Sequence, residues 1–490
     1  MSIAWPKCTL PPTPPYGSYD SPLIGRWGSP EMAWLFSAAC KFSTWRKLWT
    51  ALAKAEHELG LDISAAQVEA LRKNVFNIDF KAAEEQERKV RHDVMAHVHA
   101  YGLAAPNAAG IIHLGATSCY VTDNGDLLQM RDALALLCDR LANVLAALAE
   151  FAHTYAALPT LGYTHYQPAQ PVTVGRRACL WMQDFLLDLE TLERLRRELP
   201  FLGVRGATGT QATFLTLFQG DAKKVRALEK RVGELLGIDR FLAVSGQTYT
   251  RKLDHTILAA LSGIAQSAAK MGNDIRLLQH DKELEEPFEK HQIGSSAMAY
   301  KRNPMRAERL CGLARHLIAL EAAAANTAAT QWLERTLDDS ANRRLTLAEG
   351  FLTADCILNT AINVSRGLVV NEAVIRRRLA AELPFMATEE ILMAAVAKGG
   401  DRQKLHEVIR VHSMEAGRRV KQEGAANDLL ARLKSAPEFA AIHADLDRLT
   451  DPALFVGLSV EQTRDFLKRQ IGPVLNRYRG ALGSGGDVRV

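Results

Sequence analysis

The chain has little of what marks secreted, zinc-stabilised or membrane-spanning proteins. Its seven cysteines in 490 residues stand singly and form no C-x-x-C pair. Such an odd set indicates a reducing compartment and argues against structural zinc. No basic segment followed by an apolar core begins the sequence, and charges interrupt its apolar runs well before the roughly 18 residues that a membrane span needs. We therefore expect no signal peptide, no membrane span and a cytoplasmic location.

Aromatic residues and an excess of one charge sign are also scarce. The aromatic share is 7%, and the net charge is only +5. Abundant Ala and Leu favour helices over sheets, and the absence of a basic block argues against nucleic-acid binding, although a mild positive balance suits an anionic substrate. No Walker loop, dinucleotide fingerprint, H-E-x-x-H pair or G-x-S-x-G elbow is present. ATP hydrolysis, NAD chemistry, zinc catalysis and serine hydrolysis therefore lack support.

Helical periodicity dominates the middle of the chain. Across 127–151, eight apolar residues alternate spacings of three and four, which predicts a long helix with an a/d seam. A further long helix is predicted to start at Pro171, and others to cover 253–278, 305–333 and 342–368. Five long helices in one region indicate an elongated bundle whose apolar faces favour self-association.

The predicted fold class is mainly α, with three helical domains around a long central helix bundle. Residues 1–117 are assigned to an N-terminal helical domain that starts with a Pro-rich, extended arm at 1–20. Residues 118–370 are assigned to the central bundle and oligomerisation domain. Residues 371–490 are assigned to a C-terminal helical domain whose glycine-rich tail is expected to be disordered from about 483.

The segment 294–304 contains almost no core-forming side chains. Gly294 and its small neighbours allow main-chain N–H groups to approach an anion closely. Lys301 adds a compact positive charge, Asn303 adds a neutral hydrogen-bonding group, and Pro304 stands where a helix begins. A lone Gly-Ser-Ser is usually a surface loop, but the whole string predicts a loop that closes over a small carboxylate.

Three other segments carry reactive side chains in settings unlike a core. They are the Arg-His-Asp triplet at 91–93, the hydroxyls of Thr117 and Ser118 before the seam helix, and His165 in a Pro-bounded loop. The hydroxyls suit a helix cap or an anion at the positive end of the helix, and His165 suits acid–base chemistry near neutral pH. Taken singly, each is more often a solvated charge, a simple cap or a surface histidine.

In order and kind, these segments resemble those of the fumarase/aspartase superfamily of lyases, and the likeness spans roughly residues 20–480. Within that superfamily the chain is most similar to the adenylosuccinate lyases in their longer, animal-type form. The similar segments are 29–32 after Arg26, 89–97, 161–170, 245–249, 300–306 with Glu308 and Arg309, and 332–340 through Arg344. The resemblance implies β-elimination of fumarate from adenylosuccinate to give AMP, and from SAICAR to give AICAR, in purine nucleotide biosynthesis.

The resemblance also implies roles for individual residues. Ser295 is the expected general base, with Ser296 as the alternative, and Lys301 stabilises the carbanion through its carboxylate. His165 is the expected general acid, and His92 is either a rival acid or a substrate contact. The expected substrate-binding residues are Arg26, Trp27, Arg91, Asp93, Thr117, Ser118, Thr164, Gln247, Asn303, Arg309, Arg335, Ser340 and Arg344. No metal or organic cofactor is required.

The arginines favour a nucleotide monophosphate, because guanidinium groups grip phosphate bidentately. Any one of them is as readily a partner in a surface ion pair. The set expected around the phosphate consists of Arg26, Arg309, Arg335 and Arg344, with Ser340.

Two positions depart from the family pattern. Ala299 stands where a proline is usual, which removes a conformational restraint from the loop. Trp27 stands where a tyrosine is usual, which removes a phenolic hydroxyl from the expected substrate contacts.

The alternatives are argininosuccinate lyase or another fumarate-releasing member, and, from a different class, an inactive scaffold or binding protein on this fold. An inactive scaffold should lack the acid–base groups, yet His165, Ser295 and Lys301 are present. The resemblance further implies a homotetramer whose active sites combine residues from three subunits, a small purine nucleotide as ligand, and neither nucleic acid nor a membrane as partner.

Overall fold

The computed structural model describes residues 19–488, and within them the fold is mainly helical with two small two-stranded sheets. The predicted fold class is thereby confirmed, while most of the Pro-rich arm at 1–20 lies outside the described residues. A short π-helical turn, Leu23–Trp27, precedes the first α-helices. The N-terminal helices are α1 Pro30–Leu35, α2 Ala38–Glu58, α3 Ala65–Lys73, α4 Phe80–Val90 and α5 Asp93–Ala104.

Five long helices form the central bundle, as their apolar periodicity predicts. They are α6 Ser118–Thr154, α7 Val174–Glu198, α10 Lys252–His280, α11 Met305–Ala329 and α12 Asp339–Gly367, with the shorter α8 Ala212–Leu217 and α9 Ala222–Leu236 between the second and third. All eight seam residues of α6 are at most 7% exposed. Among the described residues, α12 alone is long and apolar enough to cross a membrane, and 83% of its most apolar stretch is buried, as expected of a central core helix.

Two predicted helix ends differ from the structure. The helix expected from Pro171 begins at Val174, because the residues before it form a β-hairpin and the Thr173 side chain caps the helix. The helix expected to reach Leu333 ends at Ala329, and Leu333 itself has a φ of +48°. The hairpin pairs β1 Pro159–Thr164 with β2 Gln167–Thr173, and β3 Leu284–Glu285 pairs with β4 Val369–Val370.

The C-terminal region has a core of its own. Its helices are α13 Glu372–Met386, α14 Thr388–Ala397, α15 Arg402–Arg418, α16 Leu429–Ser435, α17 Leu446–Leu449, α18 Ser459–Phe466 and α19 Gly472–Arg477. Buried side chains from Ala387 to Leu446 cluster separately from the main core, whereas Ile471 and Val474 pack into the main core. The last helices therefore return to the bundle.

The predicted boundary at residue 117 coincides with the start of α6, although buried side chains on both sides of it share one core. The described part of the tail does not follow the expectation of disorder. Gly483 N–H bonds to Asn143, and Gly486 N–H bonds to Asn359, so the tail lies across α6 and α12. Buried amide side chains satisfy the tail backbone, which glycine-rich composition alone does not reveal.

Glu56 is an unusual member of the N-terminal core. It is 0% exposed, and neither carboxyl oxygen has a hydrogen-bond partner among the described residues. Burial raises its pKa to about 9. A carboxyl in such a place keeps its proton in the folded protein, because a buried charge without a partner is costly.

This burial predicts a pH-dependent stability difference between wild type and Glu56→Gln. In the unfolded chain Glu56 has its ordinary pKa of about 4.5, whereas in the folded protein its pKa is about 9. Since the folded state binds more protons in that window, wild-type stability falls as pH rises. The advantage of Glu56→Gln should therefore widen between pH 5 and pH 8, by up to about 1.4 kcal/mol per pH unit.

Chemical unfolding at several pH values measures this difference, with Glu85→Gln as the control because Glu85 is exposed on α4. An advantage of Glu56→Gln that is equal at all pH values would contradict a carboxyl that stays protonated.

Candidate active site

A polar cavity of about 640 Å³ lies where one end of the bundle meets the N-terminal helices. Its wall is built from the first residues of α5, α6 and α12 and from Arg251, which directly precedes α10. Eight of the residues predicted to act on substrate line it: Arg91, His92, Asp93, Ser118, Gln247, Arg335, Ser340 and Arg344. We call this the cavity end of the bundle.

A buried ion-pair network fixes the helix starts at the cavity end. Arg251 contacts Asp123 of α6 at 2.9 Å and Asp339 of α12 at 2.6 Å, and all three side chains are at most 3% exposed. Arg335 reaches the same Asp339 carboxylate at 2.9 Å. A buried charge is tolerated when several partners satisfy it, so this network sets the relative positions of α6, α10 and α12.

His92 and Ser118 come together at the cavity mouth. His92 Nε2 lies 3.4 Å from Ser118 Oγ, and Asp93 lies 3.3 Å from Arg344. His92 also caps α5, because its Nδ1 accepts the Met95 N–H at 3.4 Å. The triplet at 91–93 therefore faces the start of α6 rather than only solvent.

The start of α6 offers hydrogen-bond donors to the cavity. Thr117 is the N-cap residue, but its side chain makes no capping bond, so the first N–H groups of the helix lack that usual acceptor. Gln247 donates to Thr117 Oγ1 at 3.3 Å and accepts from Cys119 at 3.5 Å. An anion is favoured at such a helix end.

The neighbouring histidines are structural. Burial, and then the charge of His92, lowers the pKa of His113 to about 4, and its Nδ1 accepts the Trp49 indole N–H at 2.9 Å. Burial likewise lowers the pKa of His97 to about 4, and its ring stacks on Phe42 at 3.6 Å. Both remain neutral at physiological pH, which leaves His92 as the histidine that lines this cavity.

His165 lies at the other end of the bundle, on the tip of the β1–β2 hairpin. Thr164 pairs with Gln167, so His165 and Tyr166 form the two-residue turn, with φ of +52° and +56°. Two left-handed residues match the turn type that tight hairpins favour. Gly162 is required nearby, since a Cβ there would lie 2.4 Å from the Gln170 carbonyl oxygen. The tip, including Thr164 and His165, is exposed to solvent.

The loop at 294–304 also lies at this hairpin end, just before α11. Asn303 Nδ2 donates to the Gly294 carbonyl at 2.7 Å and closes the base of the loop. A Cβ at Gly294 would lie 2.1 Å from the Lys301 carbonyl oxygen, so this closure requires glycine. Ser295 Oγ accepts the Ala297 and Met298 N–H groups at 3.3 and 3.1 Å. Within residues 19–488, no such donors reach the Ser296 hydroxyl.

Arg26, Trp27 and Arg309 form a third group near the start of α11. The guanidinium of Arg309 stacks over the Trp27 ring at 5.5 Å, and burial followed by the charges of Arg306 and Arg26 lowers the pKa of Arg309. Trp27 thus supplies a cation–π surface where a tyrosine hydroxyl is usual in the family.

The predicted phosphate-binding set is therefore split within one chain. Arg335, Ser340 and Arg344 line the cavity, whereas Arg309 stands one turn into α11. The 20 residues of α11 that follow Arg309 separate these groups and span about 30 Å. Within one chain α11 holds the two groups apart, so the expectation that all of them surround one pocket stays a prediction that requires residues from more than one chain.

The catalytic candidates are split in the same way. The cavity lies at the start of α6 and α10, while the hairpin and the Ser295 loop lie beyond their other ends. The 29 residues of α10 span about 43 Å, and His92 lies at the cavity end of this helix whereas His165 lies at its hairpin end. One chain brings His92 and Ser118 together and leaves His165 and Ser295 at the far end.

Several cavity residues escaped the sequence analysis. Lys41 and Asp126 line the wall, as do Arg251 and Arg343. Arg343 is buried and contacts Asp254 at 2.7 Å and Asp126 at 2.9 Å, and burial raises the pKa of Asp126. The available signal was adjacency, since Arg251 follows the segment at 245–249 and Arg343 precedes Arg344.

Comparison with known proteins supports this reading of the segments. A family model described as "Lyase" matches residues 30–318, and one described as "Adenylosuccinate lyase C-terminus" matches residues 384–466. The chain is 54% identical over 472 residues to the adenylosuccinate lyase of Saccharomyces cerevisiae, covering 96% of this chain and 98% of that one. It is 45% identical over 477 residues to the enzyme of the same name from Schistosoma mansoni, covering 97% and 99%.

The fold also matches that of a solved structure. The crystal structure of 3-carboxy-cis,cis-muconate lactonizing enzyme from Pseudomonas putida matches with a TM-score of 0.76 at 25% identity, covering 93% of this chain and 98% of that one. Since the fold matches along nearly the whole chain, and close to half or more of the residues are identical to those of two relatives with one name, this chain belongs to the adenylosuccinate lyase family.

Proposed function

We propose that this protein is a carbon–nitrogen lyase that splits adenylosuccinate into AMP and fumarate. The observation that carries the proposal is the 54% identity to the yeast enzyme over 96% of this chain. The polar cavity with its arginines and the Gly-Ser-Ser loop supply the chemical groups that the reaction needs. By the same chemistry, the enzyme also splits SAICAR into AICAR and fumarate in purine biosynthesis.

The reaction removes a proton from the succinyl carbon next to a carboxylate and breaks the bond from the neighbouring carbon to nitrogen. The electron pair left on the first carbon becomes the new double bond of fumarate, and the departing purine amine takes up a proton. Ser295 is the proposed base. The two N–H groups that already point at Ser295 Oγ stabilise an alkoxide there, which favours Ser295 over Ser296.

Lys301 and Asn303 are in the same loop as Ser295. They are proposed to stabilise the carbanion by binding the carboxylate next to it. His165 is the proposed acid for the leaving nitrogen, and Thr164 beside it is a proposed substrate contact. His92 and Ser118, joined at 3.4 Å, are proposed to hold the substrate from the cavity side. Proton transfer and electrostatic stabilisation account for the reaction without a cofactor.

We place the nucleotide phosphate between the two arginine groups. Arg335, Ser340 and Arg344 approach it from the cavity, and Arg26 and Arg309 approach it from another copy of the chain. Trp27, Arg91 and Asp93 border this region, while Thr117 and Gln247 orient the succinyl carboxylates at the start of α6. Guanidinium pairs suit a phosphate dianion.

We further propose a homotetramer with shared active sites, in the cytoplasm. The helices that separate the cavity end from the hairpin end by about 43 Å cannot bend enough to join them. Antiparallel association of bundles brings opposite ends together, because a symmetry axis across the bundle exchanges its ends. The six cysteines in the described part of the chain are all free, which suits a reducing compartment.

Substitution of Ser295 tests the reaction and the base together. Ser295→Ala should lower kcat for adenylosuccinate by about 10²–10⁴-fold, while Ser296→Ala, the matched control in the same loop, should stay within a few-fold of wild type. The ultraviolet change on AMP formation is the measurement, with argininosuccinate as a parallel substrate. Turnover of argininosuccinate but not adenylosuccinate would refute the function. Loss of activity only in Ser296→Ala would move the base to Ser296.

Mixed tetramers test the sharing of sites. His92→Ala and Ser295→Ala should each be inactive alone, because every site then lacks one group. Co-expressed and randomly assembled, they should recover up to about a quarter of wild-type activity, since that fraction of sites contains neither lesion. The control pair, Ser295→Ala with Lys301→Ala, should recover nothing, because every loop carries a lesion. Hybrid tetramers of the first pair without activity would contradict shared sites.

A further inference from the structure

The turn after α10 carries an unusual density of acidic residues. Residues 281–286 read Asp-Lys-Glu-Leu-Glu-Glu, and we call them the acidic turn. Glu286 accepts the Arg306 and Ala307 N–H groups at the start of α11, and Glu285 contacts Arg302 at 3.0 Å. These two acids therefore hold the helix and loop that follow. The other two, Asp281 and Glu283, point at a different element.

Glu283 is only 2% exposed, and its carboxylate accepts several hydrogen bonds. It accepts the Tyr163 hydroxyl at 2.9 Å, the Thr160 hydroxyl at 3.3 Å and Arg378 Nε at 2.8 Å. Tyr163 and Thr160 are both on β1 of the hairpin. A buried carboxylate with several donors is held rigidly, and it holds those donors equally.

Asp281 makes corresponding contacts with the other tyrosine of the tip and with Arg378. It accepts the Tyr166 hydroxyl at 3.4 Å and pairs with Arg378 Nη2 at 3.0 Å. Arg378 Nη2 also donates to the Tyr163 hydroxyl at 3.2 Å. One guanidinium on α13 thus links two acids, and each acid holds a tyrosine on one side of His165.

This geometry matters because the hairpin tip is otherwise weakly restrained. The tip residues are exposed, and two successive left-handed residues have no glycine among them. Main-chain pairing holds β1 to β2 but does not fix where the tip lies relative to the bundle. The hydroxyls of Tyr163 and Tyr166 tie the tip to the acidic turn, and Arg177 of α7 adds a contact over the Tyr163 ring at 5.8 Å.

We propose that Arg378, with Asp281 and Glu283, forms a positioning clamp that fixes His165 in its catalytic place. The proposal rests on the proposed function, in which His165 protonates the leaving nitrogen. Arg378 is a positioning residue, because it acts through the tyrosines and touches neither His165 nor a site for substrate in this chain. Displacing a catalytic group by about 1 Å can lower the rate by as much as about 100-fold.

Helix α13 offers a matched control. Arg376 lies two residues from Arg378 on the same helix, and among residues 19–488 it pairs only with Glu372 at 2.8 Å, where the two side chains are 65% and 46% exposed. Arg376→Gln and Arg378→Gln make the same chemical change on the same helix, but only the second removes the clamp.

The experiment compares both variants with wild type as purified, full-length tetramers. Arg378→Gln should lower kcat for adenylosuccinate by about 10- to 100-fold with KM changed by less than about threefold, because His165 acts in the transition state. Hydrogen exchange in the hairpin at 159–173 should become faster in that variant. Arg376→Gln should leave kcat, KM and hairpin exchange close to wild type.

Two further variants separate positioning from folding. Tyr163→Phe and Tyr166→Phe remove only the hydroxyls, and together they should reproduce the loss of kcat even if Arg378→Gln fails to fold. In a His165→Ala background, Arg378→Gln should lower the residual rate by less than about twofold, since a residue that acts through His165 has nothing left to position.

A wild-type kcat in Arg378→Gln and in the double tyrosine variant would overturn the clamp, as would an equal loss in Arg376→Gln or full additivity with His165→Ala. Failure of the proposed function would look different, because wild type would then not convert adenylosuccinate at all. In that event, faster hairpin exchange confined to Arg378→Gln would still support the clamp, and unchanged exchange would overturn it.

Discussion

An α-helix advances about 1.5 Å per residue, and this fixed rise decides what one copy of the chain can assemble. The long helices α6, α10, α11 and α12 run between the cavity end and the hairpin end, so the reactive segments lie close to one end of these helices or the other. Residues close in sequence, such as Ser295 and Lys301, stay together. Residues at opposite ends of a bundle helix, such as His92 and His165, cannot meet within one chain.

Buried carboxylates hold both ends of the bundle in register. At the cavity end, Asp123 and Asp339 share Arg251, and at the hairpin end Glu283 and Glu286 collect side-chain and main-chain donors. Removing one partner from such a buried set costs about 3–5 kcal/mol, because the remaining charge is left uncompensated. The acids therefore act as fixed points from which the exposed hairpin and the Ser295 loop extend. Rigidity at the base of a loop is what allows an exposed tip to carry a precisely placed side chain.

Periodicity in the sequence was enough to predict the five bundle helices, because a seam such as that from Leu127 to Phe151 records which face is buried. It was not enough to find the hairpin before Val174. The prolines in that segment indicate a break in secondary structure rather than a strand. The turn is formed by His165 and Tyr166, whereas glycine or asparagine is the usual sequence signal for a tight hairpin turn. The ordered tail was missed for a related reason, since its partners Asn143 and Asn359 are distant in sequence.

The sequence motifs single out candidate site residues one by one, but they do not give the distances between them. Motifs identified His92, His165 and Ser295 separately, since each motif is local. The distances between these three residues depend on helix lengths and on contacts between helices, which a local motif does not specify. Arg251 and Arg378 illustrate the same limit. Each is one arginine among many in the sequence, and only the acids that meet around it in the fold distinguish it.

Arg335 and Arg344 already have carboxylate partners, so the phosphate that we propose at this place competes for them. Arg335 shares Asp339 with Arg251, and it can turn toward a ligand without leaving that buried acid uncompensated. The Arg344 side chain is 64% exposed, and an ion pair of this kind with Asp93 contributes little in water. A phosphate carrying about two negative charges attracts both guanidiniums more strongly than one carboxylate does. The fold thus orients Arg335 with an acid that keeps Arg251 as a second partner, and Arg344 with an acid that binds it weakly. A dianion can therefore bind both arginines without leaving a buried charge unpaired.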